Sequence, residues 1–188
     1  MDYVFLLLSI SLVWVVSEIL ISRIKRSGPT TSKLDRSSFR ILWGTIIVSV
    51  SLGVFLGVRG IGAVTTGSVF IRWFGLFLIV AGLAIRWAAI LTLGKYFAVD
   101  VSIRSDHKVI TTGVYRFVRH PAYSGTILSF LGLGLSFSSW ISTLVIVLPI
   151  VVAFVHRIRI EERALAGFLG DEYVRYCTTT KRMIPGLY

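Results

Sequence analysis

The chain has 188 residues, 55% hydrophobic against 15% charged, with a net charge of +11. That length fits one domain, and the composition belongs to a membrane protein and excludes an ordinary soluble one. The charge invites a nucleic-acid reading, but the lysines and arginines sit between apolar runs, which excludes that class; a lone cysteine, Cys177, excludes an intrachain disulfide and paired-thiol chemistry.

Five runs have the length and apolarity of transmembrane helices: 4–21, 41–58, 69–93, 122–137 and 140–155. The first follows Asp2 and lacks an Ala-x-Ala cleavage site, so it reads as a retained span and not a signal peptide. The stretch 27–38, with Pro29 and several Ser and Thr, reads as an irregular loop. Gly53, Gly57, Gly60, Gly62, Gly75 and Gly82 suit close helix packing. The last two runs are short and joined by Ser138-Ser139, which predicts a tight helical hairpin that need not cross the whole bilayer. Pro149 removes the backbone bond to Val145 and should bend the second arm.

Lys and Arg are shared unequally between the two sides. The 22–40 loop holds six, the 94–121 segment five and the tail from His156 six, while the opposite side carries only Arg59 and Arg72. Arg86 lies inside the third run. This asymmetry predicts a multi-pass integral membrane protein with its N-terminus outside and its C-terminus in the cytoplasm.

Two polar islands then fall on the cytoplasmic side, 113–123 and 156–162. Membrane proteins spend few polar residues, so such density points to a working site. The plain alternative, headgroup anchoring, asks for no histidine, no Gly-x-Tyr turn and no paired glutamates. Arg157 and Glu161 stand four apart on one helical face. They read either as a weak intrahelical ion pair or as a split pair. In the second reading Arg157 clamps an anionic substrate through its planar fork, and Glu161 accepts hydrogen bonds from a cationic or hydroxyl-bearing cofactor. His120 precedes Pro121, which suits a helix start, where a histidine can cap, stack or move protons. The three histidines lack metal-ligand spacing, so no metal is expected, and neither a Gly-x-Ser-x-Gly elbow nor a Gly-x-Gly-x-x-Gly loop is present.

Taken in order, the pieces become specific. His107-Lys-Val-Ile-Thr-Thr-Gly-Val-Tyr115 and Arg119-His-Pro-Ala-Tyr-Ser-Gly125 are followed by Arg157-x-x-x-Glu161-Glu162-x-x-Leu165, Phe168-Leu-Gly-Asp-Glu-Tyr173-x-x-Tyr176 and Arg182-Met-Ile-Pro185. Over roughly 86–185 this set resembles the isoprenylcysteine carboxyl methyltransferase family. The resemblance implies an all-α integral membrane fold of about five transmembrane helices, with a C-terminal helical hairpin and a cytoplasmic pocket for S-adenosylmethionine. It divides the chain into 1–68, two N-terminal helices with a basic loop, and 69–188, a catalytic core. Carried over by position, the cofactor contacts fall on His107, Lys108, Val109, Ile110, Tyr115, His120, Pro121, Ala122, Tyr123 and Glu161, with Arg157 on the substrate side. Arg157 and Glu161 are the expected catalytic pair. One departure is that the stretch 96–102 lacks the neutral polar residue such proteins often carry there, so Asp100 is left out of the site.

Methyl transfer to an ionised carboxylate needs positioning and desolvation and no general base. The expected partners are a lipidic or prenylated acceptor and membrane lipids, entering between the third and fifth runs. Arg86 either lines that route, as a substrate-binding residue, or snorkels as a helix-end charge. Two alternatives stay open. A thiol, amine or phospholipid-headgroup acceptor would want a base, for which Glu162 or His156 is placed, and a non-catalytic scaffold would keep only a degenerate pocket.

Overall fold

The computed structural model describes residues 2–24, 32–35, 37–99, 101–103 and 106–186. Asp100 and Arg104, like Lys25 and Arg26 of the first basic loop, lie outside the described residues. Among the described residues six α-helices carry the fold: α1 (Tyr3–Ile24), α2 (Ser37–Val58), α3 (Ser68–Leu93), α4 (Pro121–Leu135), α5 (Trp140–Leu169) and α6 (Asp171–Thr179). The helical expectation stands with one addition. β1 (Ser32–Asp35) and β2 (Val101–Ile103) pair antiparallel, so part of the stretch read as irregular is extended and hydrogen-bonded to the α3–α4 connection.

Among the described residues four helices, α1, α2, α3 and α5, are long and apolar enough to cross a membrane. The fourth apolar run forms only the 15-residue α4, about 22 Å long against a hydrocarbon core of about 30 Å. The fifth run is not short. It continues as one 30-residue helix through Pro149 to Leu169, carrying Arg157 and Glu161 beyond the apolar stretch. Ser138, at φ 51°, turns the chain between α4 and α5, and the Ser139 hydroxyl caps α5 by accepting from the Ser142 N–H.

α3 and α4 meet backbone to backbone because the residues between them have almost no side chain. A Cβ on Gly132 would lie 2.7 Å from the Ile79 nitrogen, and one on Gly75 2.7 Å from the Gly132 carbonyl oxygen. Gly82 and Gly125 face each other in the same seam, one helical repeat along. Gly53, Gly57 and Gly62 take up α5 and Phe137 in the same way, whereas Gly60 packs against nothing and sits at φ 70°. Gly60 therefore serves the turn and not the packing.

α4 lies between α3 and α5, packed on both, while α2 rests on α5 and α1 touches α3. The main core, of Leu7, Trp14, Leu42, Leu76, Ile79, Phe130, Leu133, Ile146, Ile150 and Phe154, joins all five long apolar elements. Outward faces such as Phe5, Leu12, Val48, Phe70 and Val152 stay exposed, which suits a lipid environment and would be costly in water.

Candidate active site

At one end of the bundle, the α3–α4 connection, the second half of α5 and α6 converge on a polar chamber. His120 ends the connection in non-helical geometry (φ −123°, ψ 55°), and Pro121 begins α4 at its first position, as the His-Pro pair predicts. This aims the His120 and Tyr123 rings the same way, stacked at 5.7 Å and 15°. Gly113, at φ 57° with Thr92 close by, lets the 3-10 turn Gly113–Arg116 fold back so that Tyr115 packs with Ala89 and Ala122.

Arg157 sits at the centre, 1% exposed. Its Nε donates to the Tyr123 hydroxyl at 3.1 Å, Nη1 to Ser38 Oγ at 3.3 Å and Nη2 to the Val99 carbonyl at 2.6 Å. The plane also rests on the Phe39 ring at 5.7 Å. The Tyr123 hydroxyl in turn donates to Glu161 Oε2 at 2.7 Å. Arg157 and Glu161 are thus linked through a phenol, and among the described residues no direct ion pair joins them. The relay orients both charges while leaving each on its own side of Tyr123.

Glu162 has a different occupation. Arg119 reaches its Oε1 at 2.8 Å, Arg182 its Oε2 at 2.9 Å, and His120 Nε2 lies 3.4 Å from Oε1. Arg119 also donates to the Cys177 and Thr180 carbonyls, and the backbone N–H groups of Arg119 and His120 donate to Lys181 and Arg182. Glu162 therefore fastens the C-terminal strand of chain against the His120 corner. Held by three basic groups, it is poorly placed to serve as the base that an amine or thiol acceptor would want, and the other candidate, His156, faces outward. α6 closes the chamber with Tyr173 and Tyr176, the latter donating to the Tyr115 carbonyl at 2.5 Å. Burial pushes the Tyr115 and Tyr173 phenols far above their ordinary value and Tyr176 up to about 12, which favours their neutral forms.

His107, Lys108, Val109, Ile110, Tyr115, His120, Ala122, Tyr123, Arg157 and Glu161 all line one cavity of about 960 Å³. Pro121 does not; it is buried in the first turn of α4 behind them. His107 leans on the Tyr96 ring at 5.2 Å. The cavity continues from the chamber into an apolar cleft walled by one stripe of α1 and one of α2, from Leu7 and Trp14 to Leu42 and Val50. α4 packs on both α3 and α5 and so stands in the space between the third and fifth runs where the entry route was expected. Arg86 is no snorkelling helix-end charge. It is 8% exposed on the cavity wall, its Nε 2.5 Å from Glu18 Oε1, Nη2 2.7 Å from Oε2, and Nη1 donating to Thr126 Oγ1 at 2.8 Å. Tyr173 and Tyr176 stand in a motif of the sequence without being assigned to the site, whereas Glu18, like Phe39 and Trp14, escapes motif reading; its signal is a lone carboxylate inside an apolar run.

The isoprenylcysteine carboxyl methyltransferase (ICMT) family model matches residues 74–167, half of the chain and most of the chamber. The chain belongs to this family. It is 35% identical over 114 residues to protein-S-isoprenylcysteine O-methyltransferase B of Arabidopsis thaliana, covering 60% of this chain and 58% of that one. To the Mus musculus protein-S-isoprenylcysteine O-methyltransferase it is 36% identical over 115 residues, covering 60% and 40%. A solved structure of the eukaryotic intramembrane Ras methyltransferase ICMT is similar with a TM-score of 0.56 at 27% identity, over 81% of this chain and 54% of that one. The chain thus spans less than two thirds of the length of these relatives. The fold is that of an ICMT-family integral membrane protein that crosses the bilayer several times.

Proposed function

We propose that this chain is a membrane-embedded methyltransferase that converts the carboxylate of an isoprenylated cysteine, or a similar lipidic acid, to its methyl ester, with S-adenosylmethionine as methyl donor. The observation that carries the reading is the cavity in which a buried arginine, donating to Tyr123, Ser38 and Val99, stands where an apolar cleft opens into a polar, aromatic chamber. A molecule with a hydrocarbon tail and an anionic head matches both halves at once.

The chamber suits S-adenosylmethionine by its donor set. Glu161 offers a carboxylate to an ammonium or to ribose hydroxyls, and His120, Tyr115, Tyr173 and Tyr176 supply ring faces. When bound, this cofactor supplies a methyl group on a sulfonium, whose transfer to a carboxylate leaves the C–S electron pair on sulfur and moves no proton. Arg157 orients the acceptor carboxylate through two parallel N–H groups and keeps its charge throughout. The neutral tyrosines exclude water without competing for protons, and the apolar cleft desolvates the nucleophile from the other side. An amine or thiol acceptor fits less well, since Glu162 is committed to Arg119 and Arg182. With the basic loops on the cytoplasmic side, the chamber faces the compartment that holds the soluble cofactor, and Cys177 is accessible from that side only.

A labelled-methyl assay of the purified protein against S-farnesyl thiol acids and a phospholipid panel tests the proposal. Base-labile label on the prenylated acid supports it. Label on the phospholipids alone, or cofactor binding with no transfer to any acceptor, overturns it.

A further inference from the structure

The family match covers residues 74–167, yet two residues in contact with Arg157 lie outside it. Ser38 Oγ accepts from Nη1 at 3.3 Å, and the Phe39 ring lies 5.7 Å from the guanidinium carbon. Both stand in the first turn of α2. Ser38 is 2% exposed and off the cavity wall, whereas Phe39 is half-buried and lines the cavity. The β1–β2 pair brings this turn into place. Asp35 of β1 pairs with Val101 of β2. Ser38 follows Asp35 by three residues and Val99 precedes Val101 by two, so at about 3.5 Å per residue both lie within about 11 Å of that rung. The rung thus ties together the two segments that supply Ser38 and the Val99 carbonyl, while α4 supplies Tyr123. Three separate elements meet Nε, Nη1 and Nη2 of one planar group, and three points fix a plane.

We infer that the first turn of α2 belongs to the active site, with Ser38 and Phe39 as positioning residues that hold the Arg157 fork for the acceptor's carboxylate; the inference rests on the methyltransferase reading above. Ser38 is off the cavity wall, so it acts on the acceptor through Arg157. Each terminal nitrogen of a guanidinium carries two N–H groups, so bonds to Ser38 and Val99 do not exhaust either one. Phe39 supports the fork differently, as a ring near a cation. An arginine side chain is rich in rotamers, and these contacts settle its geometry on folding, before the acceptor arrives. Oriented N–H groups then act on the charge that shifts in the transition state without first reorganising.

The test measures methylation of N-acetyl-S-farnesylcysteine by the full chain, with calorimetric cofactor binding and a melting curve on each preparation. Ser38→Ala should lower kcat/KM about ten-fold, the lower end for one hydrogen bond to a charged group, since 3.3 Å is long for such a bond. Phe39→Leu keeps an apolar side chain and should lower it about five-fold. Either loss should fall on kcat more than on KM, because the charge that attracts the acceptor remains. Cofactor affinity should stay within about two-fold, and in the Arg157→Lys background each substitution should cost no more than about two-fold, since the fork it holds is gone. A folded Ser38→Ala protein with unchanged kcat/KM, a loss carried by KM alone, a cofactor affinity that falls in step with activity, or losses of the same size in the Arg157→Lys background would overturn the inference. Should Ser38→Ala fail to fold, Phe39→Leu decides by the same readouts. Methylation of no S-prenyl thiol acid by the unsubstituted chain removes the methyltransferase reading and this inference together, whereas an active enzyme whose losses are independent of Arg157 removes only the inference.

Discussion

Replacing Arg157 with lysine keeps the charge and removes the geometry. The guanidinium reaches Tyr123, Ser38 and Val99 through three different nitrogens at 3.1, 3.3 and 2.6 Å. A single ammonium nitrogen cannot occupy three positions, so at least one of these contacts is lost, and with it the two-point grip on a carboxylate. One hydrogen bond to a charged group is worth about 1.5–3 kcal/mol. If the second point of the grip acts in the transition state, kcat/KM falls by about 10- to 150-fold. Cofactor affinity should change by no more than about two-fold, because Glu161 keeps its bond from Tyr123. The assay pairs initial rates at saturating cofactor with calorimetric cofactor binding on the same preparation, and a melting curve confirms that the variant is folded. A charge that merely decorates the helix would cost at most about 0.5 kcal/mol. A folded lysine variant with unchanged kcat/KM would refute the clamp.

Tyr123→Phe cuts the relay between Arg157 and Glu161, and should weaken cofactor binding about ten-fold or more in calorimetry, as loss of one hydrogen bond to a carboxylate predicts. Glu162→Ala leaves Arg119 and Arg182 facing each other without their shared anion; it should destabilise the fold by about 3 kcal/mol and expose the chain around 177–183 to protease before the helices melt. Gly132→Ala drives a methyl group into the Ile79 backbone and should cost about 1–3 kcal/mol in thermal or denaturant unfolding, while Gly60→Ala, which meets no neighbour, is strained only by its positive φ. Tyr176 is raised by burial from its ordinary 10 to about 12, so the folded state favours its protonated form. That stability is fully present below pH 10 and is lost as pH rises towards 12; Tyr176→Phe should flatten this alkaline limb of the unfolding curve.

The helices were legible because apolar runs of spanning length leave little choice, and the chamber because its residues cluster in two short segments. Local pattern stops short of both where a distant element intervenes. Nothing in 122–137 shows that α4 wedges between α3 and α5, since that follows from facing glycines on two helices. The β1–β2 pair joins segments about 70 residues apart with no alternation long enough to announce it. Spacing four apart allows a direct pair of Arg157 and Glu161, because periodicity knows the helix face but not the Tyr123 hydroxyl that a second helix inserts between them.

Glu18 shows what a stricter use of the same physics recovers. A carboxylate inside a spanning segment is costly unless paired, so its presence demands a cation at similar depth. The apolar runs offer Arg72 and Arg86. Glu18 lies near the end of the first run that leads into the basic loop, and with alternating helix direction only Arg86 lies near that same face, Arg72 being at the other. Charge depth alone therefore selects the pair the structure forms at 2.5 Å. It also draws α1, which motif matching leaves without a role, onto the wall of the cavity. In a chain this apolar, each buried charge constrains the helix arrangement more tightly than any run of leucines, because it has so few places to go.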